Sequence, residues 1–503
     1  MLGAGGWRIP KSAGRWLLCA VGIVTVAWST ALLPSGCEGR SRTTTTLNLP
    51  ASPLDGRPHL TGPQPAPAVI ASPTPERPKP PALRPTIPQS EPSIRIRVAS
   101  SQGDAIVLSH PSGWLWVKAE SASSGCTVRT PVSFRPASDG WNMIESVGTS
   151  LASRMHIKSP PSDSLLIAPP KGSSKEIHWQ GGVWPGDAIL VRRSDSNSDG
   201  ADLVFAVPIE QYLPGVLAKE LYKGWSHETF LAQAVAARSY ALCEHAWWKG
   251  RRHFDVVAGQ ASQAWIGSTA DPASCEAVRE TAGQYLVFEG RVVPAYYSSC
   301  CGGIPAAATD AIREGSWMDI SPLDVDGSED ARPKNCCEKA PTAKWTVSMK
   351  SAALANRLNA WAQQEGRQDL GSLSGVKSII LAEANPAGRP VSYRITDSRG
   401  RKVLWDAEDF RYAVNAGATG SKDSLKSGFF SPRVERGTVT LSGRGHGHGS
   451  GMCQFGAQAM GKSGRNYREI LRRYYPGAVV ESAPVQQEFT SDAISPTGQA
   501  AIP

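Results

Sequence analysis

The chain has 503 residues, with 41% hydrophobic and 19% charged side chains, 49 glycines, 39 prolines and 16 tryptophans. That length suits two or three domains, and that balance suits a chain that folds over most but not all of its length. A formal net charge of +9 fits an anionic partner such as a membrane surface or cell-wall polymer. No RNA- or DNA-binding motif is present and the basic residues are scattered, so a nucleic-acid partner is not expected.

Residues 1–37 read as an export leader or anchor. Arg8, Lys11 and Arg15 precede an uncharged apolar run from Trp16 to Leu33. This is the pattern of an export signal or N-terminal anchor, and about 18 residues is the lower limit for a membrane span. Leu33-Pro34-Ser35-Gly36-Cys37 follows and looks like a lipoprotein processing site with Cys37 as the lipidated residue, although Pro34 fits that pattern poorly. A lipoprotein, an uncleaved anchor and an ordinary signal peptide all place the remainder outside the cytoplasm, in the cell envelope. Residues 38–93 form a proline-rich linker, with fourteen prolines from Pro50 to Pro92. Such a tract builds no packed core and is expected to be an extended spacer.

Residues 94–200 are expected to be a β-rich N-terminal domain. Ile94, Ile96 and Val98 alternate with Arg95 and Arg97, a half-buried strand pattern. Residues 105–108 and 114–117 read as further strands around the turn-prone Pro111-Ser112-Gly113. From Pro208 the period becomes helical, with Ile209, Tyr212, Leu213, Val216 and Leu217 on one stripe. That stripe runs on to Glu220. A carboxylate ending an apolar stripe is partly desolvated, which raises its pKa, and a glutamate protonated near neutrality is what acid catalysis of glycosidic cleavage requires. The competing reading is a glutamate at a fraying helix end in water. Ser226 is an N-cap for a second, alanine-rich helix, with Glu228 in its first turn. Strands are expected at 285–288, 292–297, 376–382 and 391–395, and helices at 345–363 and 467–474. A flexible polar tail is expected over 482–503.

Cysteine usage agrees with export. Outside the leader lie Cys126, Cys243, Cys275, Cys300, Cys301, Cys336, Cys337 and Cys453. Cross-pairing of the doublets Cys300-Cys301 and Cys336-Cys337 would close a loop of about 35 residues and stabilise by a few kcal/mol. The rival is a four-thiolate zinc site on these same residues. Adjacent thiolates rarely share one metal, and the usual two-residue spacing is absent, so disulfides are the preferred reading.

The residues from 200 to 480 resemble one family in order. The match runs through Val207-Pro208-Ile209-Glu210-Gln211-Tyr212-Leu213-Pro214-Gly215-Val216, Glu220, and Leu231-Ala232-Gln233-Ala234-Val235-Ala236-Ala237-Arg238-Ser239-Tyr240. It continues through Phe254-Asp255-Val256-Val257, Gln263, Trp265, Gly267, Ala277-Val278, Thr281-Ala282-Gly283, Ala295-Tyr296-Tyr297-Ser298 and Gly302-Gly303. Lys426-Ser427-Gly428-Phe429-Phe430 and the strongest stretch, Gly443 to Ala457 with its GRGHGHGSGMCQFGA sequence, follow, and Tyr474-Tyr475-Pro476-Gly477 closes it. On these residues the chain resembles the stage II sporulation protein D / LytB amidase-enhancer family.

The resemblance implies an α+β protein with a mixed α/β catalytic domain over 201–481 and a role on peptidoglycan. Some members are lytic transglycosylases that cleave between N-acetylmuramic acid and N-acetylglucosamine and leave a 1,6-anhydro product. Others stimulate a separate amidase. The family's catalytic glutamate corresponds to Glu220. One protonated glutamate suffices for such chemistry: it protonates the leaving oxygen, then takes the proton of the attacking 6-hydroxyl. No second carboxylate is needed, unlike paired-acid hydrolases.

Three positions depart from the family pattern. Leu221-Tyr222 follow the glutamate in place of Met-Pro. Ser298 stands where a histidine is common, one that binds zinc in some members. His446 replaces an aromatic residue. The expected substrate-binding residues are Arg238, Tyr240, Gln263, His446, His448 and Gln454. His448 and Gln454 are expected to bond sugar hydroxyls or orient Glu220; Arg238 and Tyr240 to bind a muramyl carboxylate or sugar, with helix packing an equal alternative for Tyr240. No cofactor is required, zinc being the one candidate. The glycine-rich run is not a phosphate loop, since it lacks the Lys-Ser/Thr ending and the strand–helix setting. The partners implied are peptidoglycan glycan strands and a cell-wall amidase. Two function classes stand: a lytic transglycosylase using Glu220, and a non-catalytic glycan-binding amidase enhancer.

Overall fold

The computed structural model describes residues 84–147, 150–160, 163–193, 200–259, 262–312, 318–325 and 337–484. The leader, the lipidation site expected at Cys37, most of the proline-rich linker, Cys336 and nearly all of the tail lie outside these residues. Among the described residues no helix is long and apolar enough to cross a membrane. The fold is α+β, as expected.

A seven-stranded sheet organises the first core. Its order is Val256–Val257, Ser93–Ser101, Gly200–Pro208, Asp187–Arg193, Leu165–Ala168, Trp114–Ala119, Cys126–Arg129. The alternation at 94–98 puts Ile94 opposite Val207 and Ile96 opposite Phe205, and all four are fully buried. A one-residue slip would turn these side chains to the other face, so the apolar pattern fixes the register. A four-stranded antiparallel sheet of Ile106–Leu108, Val132–Ala137, Gly140–Val147 and Ser150–Lys158 completes the β-rich part.

The strand Gly200–Pro208 leads directly into helix α1, Ile209–Glu220. The apolar stripe is buried as expected, with Ile209, Tyr212, Leu213, Val216 and Leu217 at 0% exposure. Helix α2, His227–Trp248, packs on α1 and on α3, Pro272–Glu280. Its burial runs unbroken from Thr229 to Cys243, around the whole circumference. Alanines at 232, 234, 236, 237 and 241 let neighbours approach from every side. One hydrophobic core joins the β-rich strands to these helices. Residues just before the first strand pack on this core: Val292 N donates to Pro85 O and Arg84 Nη1 donates to Phe288 O.

A second core sits within residues 344–444. Two three-stranded sheets, Lys344–Lys350 with Thr438–Arg444 and Phe430–Glu435, and Val376–Ala384 with Pro390–Asp397 and Lys402–Asp406, pack with helices Ser351–Gln364 and Ala407–Ala416. Tyr393 stacks on Phe430 with centroids 4.3 Å apart. The helix expected over 345–363 is therefore only partly formed: Lys344–Lys350 is a strand paired along its length with Thr438–Arg444. The strand expected over 292–297 is also interrupted. It divides into Arg291–Val292 and Tyr297–Ser298, with Pro294 between them, since proline has no N–H for a ladder.

Candidate active site around Glu220

Glu220 is the last residue of α1 and is half-buried. Its Oε1 accepts from the Ala264 N–H at 2.9 Å, and its Oε2 accepts from Gln454 Nε2 at 3.3 Å. Desolvation raises its pKa above the ordinary glutamate value, while these two donors and Lys219 pull the other way. Burial wins because the bonds are few and one is long. The carboxylate is therefore not turned out into water at a frayed end.

The elements converging on Glu220 come from distant parts of the chain. Gln454 begins the helix Gln454–Lys462 and is buried; its amide also donates to Gln233 Oε1 of α2 at 3.4 Å. Gln263 is buried, one residue before the Ala264 N–H that holds the acid. It accepts from Tyr212 Oη at 3.0 Å and donates to Ala237 O at 3.2 Å and Tyr297 Oη at 3.0 Å. Both phenols feel the Glu220 charge, and burial raises both far above the usual tyrosine value. They stay protonated. Gln233, Tyr212 and Tyr297 were not singled out from sequence, although all three lie inside the matched stretches.

The glycine-rich loop closes one side. The strand Tyr297–Ser298 pairs in parallel with Met452–Cys453, and Cys300 and His446 exchange backbone hydrogen bonds. Gly451 has φ +65, and a Cβ there would lie 2.0 Å from Tyr296 O. Gly447 has φ +92, and its Cβ would meet Ser298 Cβ at 2.9 Å. Glycine permits both the backbone angle and the approach.

Several expected binding residues have other tasks in this geometry. Arg238 is completely buried and bidentate to Glu210, at 2.9 Å and 2.7 Å. It also donates to Gln284 O. With its donors committed, Arg238 braces α2 against the start of α1 and does not face a muramyl carboxylate. Tyr240 is 8% exposed and packs edge-on against Tyr296, so the packing alternative describes it. His448 accepts from Ser450 N–H at Nδ1 (3.1 Å), which leaves Nε2 to donate to Tyr297 O at 2.9 Å. Burial pushes its pKa down to about 4. The neutral ring thus fixes the loop onto the Tyr297 strand, and its nitrogens are taken up by backbone instead of facing sugar. His446 is half-exposed and likewise held near 4, first by burial and then by Lys426 and Arg411.

An aromatic cluster is built from residues close in sequence to Glu220 and Gln454. Tyr222, Trp225 and Phe455 form a three-ring cluster with centroids 5.1–5.8 Å apart. Tyr222 is 57% exposed. Tyr222 and Trp225 lie two and five residues after Glu220, and Phe455 directly follows Gln454. The sequence carried that hint in Tyr222, seen there only as a departure from Met-Pro.

The two cysteine doublets are brought together, although not as a Cys301–Cys337 bond. Cys301 Sγ and Cys337 Sγ lie 3.8 Å apart, far beyond a disulfide bond of about 2.05 Å. Cys300, Cys337 and Cys453 sulfurs all lie within 4.8 Å of one another. Cys300, Cys301 and Cys337 of the doublets gather, and Cys453 joins them. Cys336 lies outside the described residues.

The family model described as Stage II sporulation protein (SpoIID) matches residues 197–288, which contain α1, α2 and Glu220. The amidase enhancer of Bacillus subtilis (strain 168) is 26% identical over 306 residues, covering 54% of this chain but 40% of that protein. An uncharacterised protein of Brachyspira hyodysenteriae is 29% identical over 297 residues, 59% of this chain and 73% of its own. Stage II sporulation protein D of Bacillus amyloliquefaciens is 25% identical over 304 residues, 55% of this chain and 75% of its own. The ordered motifs, the family-model match and these relatives agree: the chain carries a domain of the SpoIID/LytB family.

Proposed function

We propose that this protein is a peptidoglycan lytic transglycosylase of the cell envelope, with Glu220 as its single acid–base. The observation that carries the reading is the Glu220 carboxylate, desolvated at the end of an apolar helix face yet fixed by Ala264 and Gln454. A raised pKa keeps a proton available for the leaving oxygen. The same carboxylate, once ionised, is stabilised by its two donors and receives the proton of the muramyl 6-hydroxyl. The neutral phenols of Tyr212 and Tyr297 add no competing charge. Tyr222, Trp225 and Phe455 offer ring faces on which a pyranose can stack.

The second reading is a non-catalytic glycan binder that assists an amidase. It is favoured by the similarity to the amidase enhancer and by the two donors on Glu220, which stabilise the ionised carboxylate and so oppose acid catalysis. The separating experiment digests peptide-stripped glycan strands with the purified protein and with Glu220→Gln, reading products by mass spectrometry. Anhydromuramyl products from the wild type alone support the transglycosylase. No products from either protein, with glycan binding retained, support the enhancer.

A further inference from the structure

The backbone donor of Glu220 sits in a segment clamped from two sides. Ala264 N–H, which holds Glu220 Oε1, lies in the stretch 263–268. Helix α1 closes one side of that stretch. Gly215 of α1 comes so near that a Cβ there would lie 2.2 Å from Gly267 O, and Tyr212 packs on Trp265 with centroids 5.5 Å apart. The other side is closed by a β-hairpin of the β-rich part, Glu176–Trp179 paired with Gly182–Pro185. Ser268 N donates to Val183 O at 2.8 Å, and a Cβ on Gly267, whose φ is +80, would lie 2.4 Å from that same oxygen. The Trp184 ring meets Trp265 edge-on at 5.1 Å. We propose that this hairpin is a positioning element for Glu220, with Trp184 as its central residue: it holds the 263–268 segment against α1 and so keeps the Ala264 N–H on the carboxylate. The inference rests on the reading of Glu220 as the acid–base.

The construction of the hairpin suits that task. It is a two-stranded sheet of its own, and an isolated pair of strands needs packing to hold its shape. That packing is aromatic. Trp184 stacks at 5.6 Å on Phe205, in the strand that leads into α1, and tilts against Trp179 at 5.7 Å. Its Nε1 donates to Trp179 O at 3.1 Å, and Ile177 of the same hairpin is fully buried. Trp184 thus has one neighbour in the strand before the helix of Glu220 and another in the segment that carries its donor, and it fixes the spacing of the two. A shift of about 1 Å would take the Ala264 N–H, now at 2.9 Å, beyond hydrogen-bond reach. The other donor, Gln454, is already at 3.3 Å, so the ionised carboxylate depends most on Ala264. The hairpin lies outside residues 197–288, which the family model matches, and this task ties the β-rich part to the chemistry of the acid.

The test measures the protonation of Glu220 by ¹³C NMR in the full chain, with Glu220→Gln identifying the signal. The amide stabilises the ionised form, so loosening it raises the pKa. Trp184→Leu should bind the Glu220 proton about tenfold more tightly, the worth of one hydrogen bond to a charged group. That substitution removes no charge, and it leaves unaltered Lys219, Tyr212 and Tyr297, the titratable groups that interact with Glu220. Trp184→Phe, which keeps a ring, should restore part of the shift. Met143→Ala, at a buried position in the other large sheet of the β-rich part, should lower stability and leave the Glu220 titration in place. An unmoved titration in Trp184→Leu, or an equal shift in Met143→Ala, overturns the proposal. If Trp184→Leu does not fold, native-state hydrogen exchange of the wild type decides. The Ala264 and Ser268 amides should lose protection together with the hairpin amides as urea is added; an Ala264 amide still protected after the hairpin has opened overturns the proposal. None of these readouts needs glycan. A shifted titration in Trp184→Leu, with no anhydromuramyl products from the wild type, would keep the positioning role and remove the transglycosylase. Such products with an unmoved titration would do the reverse.

Discussion

Truncating Arg238 separates a bracing role from substrate binding. The guanidinium is fully buried and gives two bonds to Glu210, whose side chain is 21% exposed. Arg238→Met removes both charge-assisted bonds and leaves Glu210 facing apolar surface. Breaking one side of a buried ion pair costs about 3–5 kcal/mol. Glu210 keeps some solvent and the Gly283 N–H at 3.2 Å, so the lower end applies, about 3 kcal/mol. Glu210→Gln in the same background should recover part of the loss, because no charge is then stranded, and the pair should couple by about 1–3 kcal/mol. The assay is urea unfolding of wild type, both single variants and the double variant, with glycan binding measured on each folded protein. A loss below about 1 kcal/mol together with abolished glycan binding would refute the bracing role and return Arg238 to the substrate.

Glu220→Gln carries a pH signature. Burial raises the wild-type pKa above 4.5, so the folded state binds the proton more tightly than the unfolded chain. That stability is full below about pH 4.5 and is lost as pH rises through the folded-state value. The Gln variant should therefore be more stable than wild type at neutral pH and equal to it in acid, as read from unfolding midpoints; a less stable Gln variant at neutral pH contradicts the desolvation argument. His448, held down near about 4, should keep its neutral imidazole NMR shifts as pH falls from 8 to 5. Its depressed pKa means that stability present above the unfolded value is lost as pH falls toward 4, and titration near 6.5 would remove the loop-fixing role. Tyr222→Ala should weaken glycan binding by about two- to twelvefold, the equivalent of 0.5–1.5 kcal/mol for one ring contact, with stability nearly unchanged; unaltered binding would mean the ring surface is not used.

Local pattern made much of this legible, and long-range pairing accounts for the rest. The stripe Ile209 to Leu217 named both the helix and the desolvated glutamate, because a 3.6-residue period alone determines what shares its face. Helix Tyr467–Tyr474 was legible from its stop at Pro476, and the structure adds the start signal, an Asn466 capping box with Glu469. Lys344–Lys350 was misread since its strand character comes from a partner almost a hundred residues away. Arg238 could not be assigned from sequence either. Its partner Glu210 lies on another helix, and only packing reveals that the two meet. The histidines misled for a related reason: a glycine-flanked His448 looks available for a ligand until the backbone groups that occupy both of its nitrogens are known. Cys453 joined the sulfur cluster through a parallel strand pairing, Tyr297–Ser298 with Met452–Cys453, which no spacing rule anticipates.

The most direct measurement of the central claim is digestion of peptide-stripped glycan strands in ¹⁸O-labelled water, with products read by mass spectrometry. If Glu220 drives internal attack by the muramyl 6-hydroxyl, new ends are 1,6-anhydro and carry no ¹⁸O. New reducing ends that contain ¹⁸O would show water as the nucleophile, and the single-carboxylate transglycosylase account would be wrong.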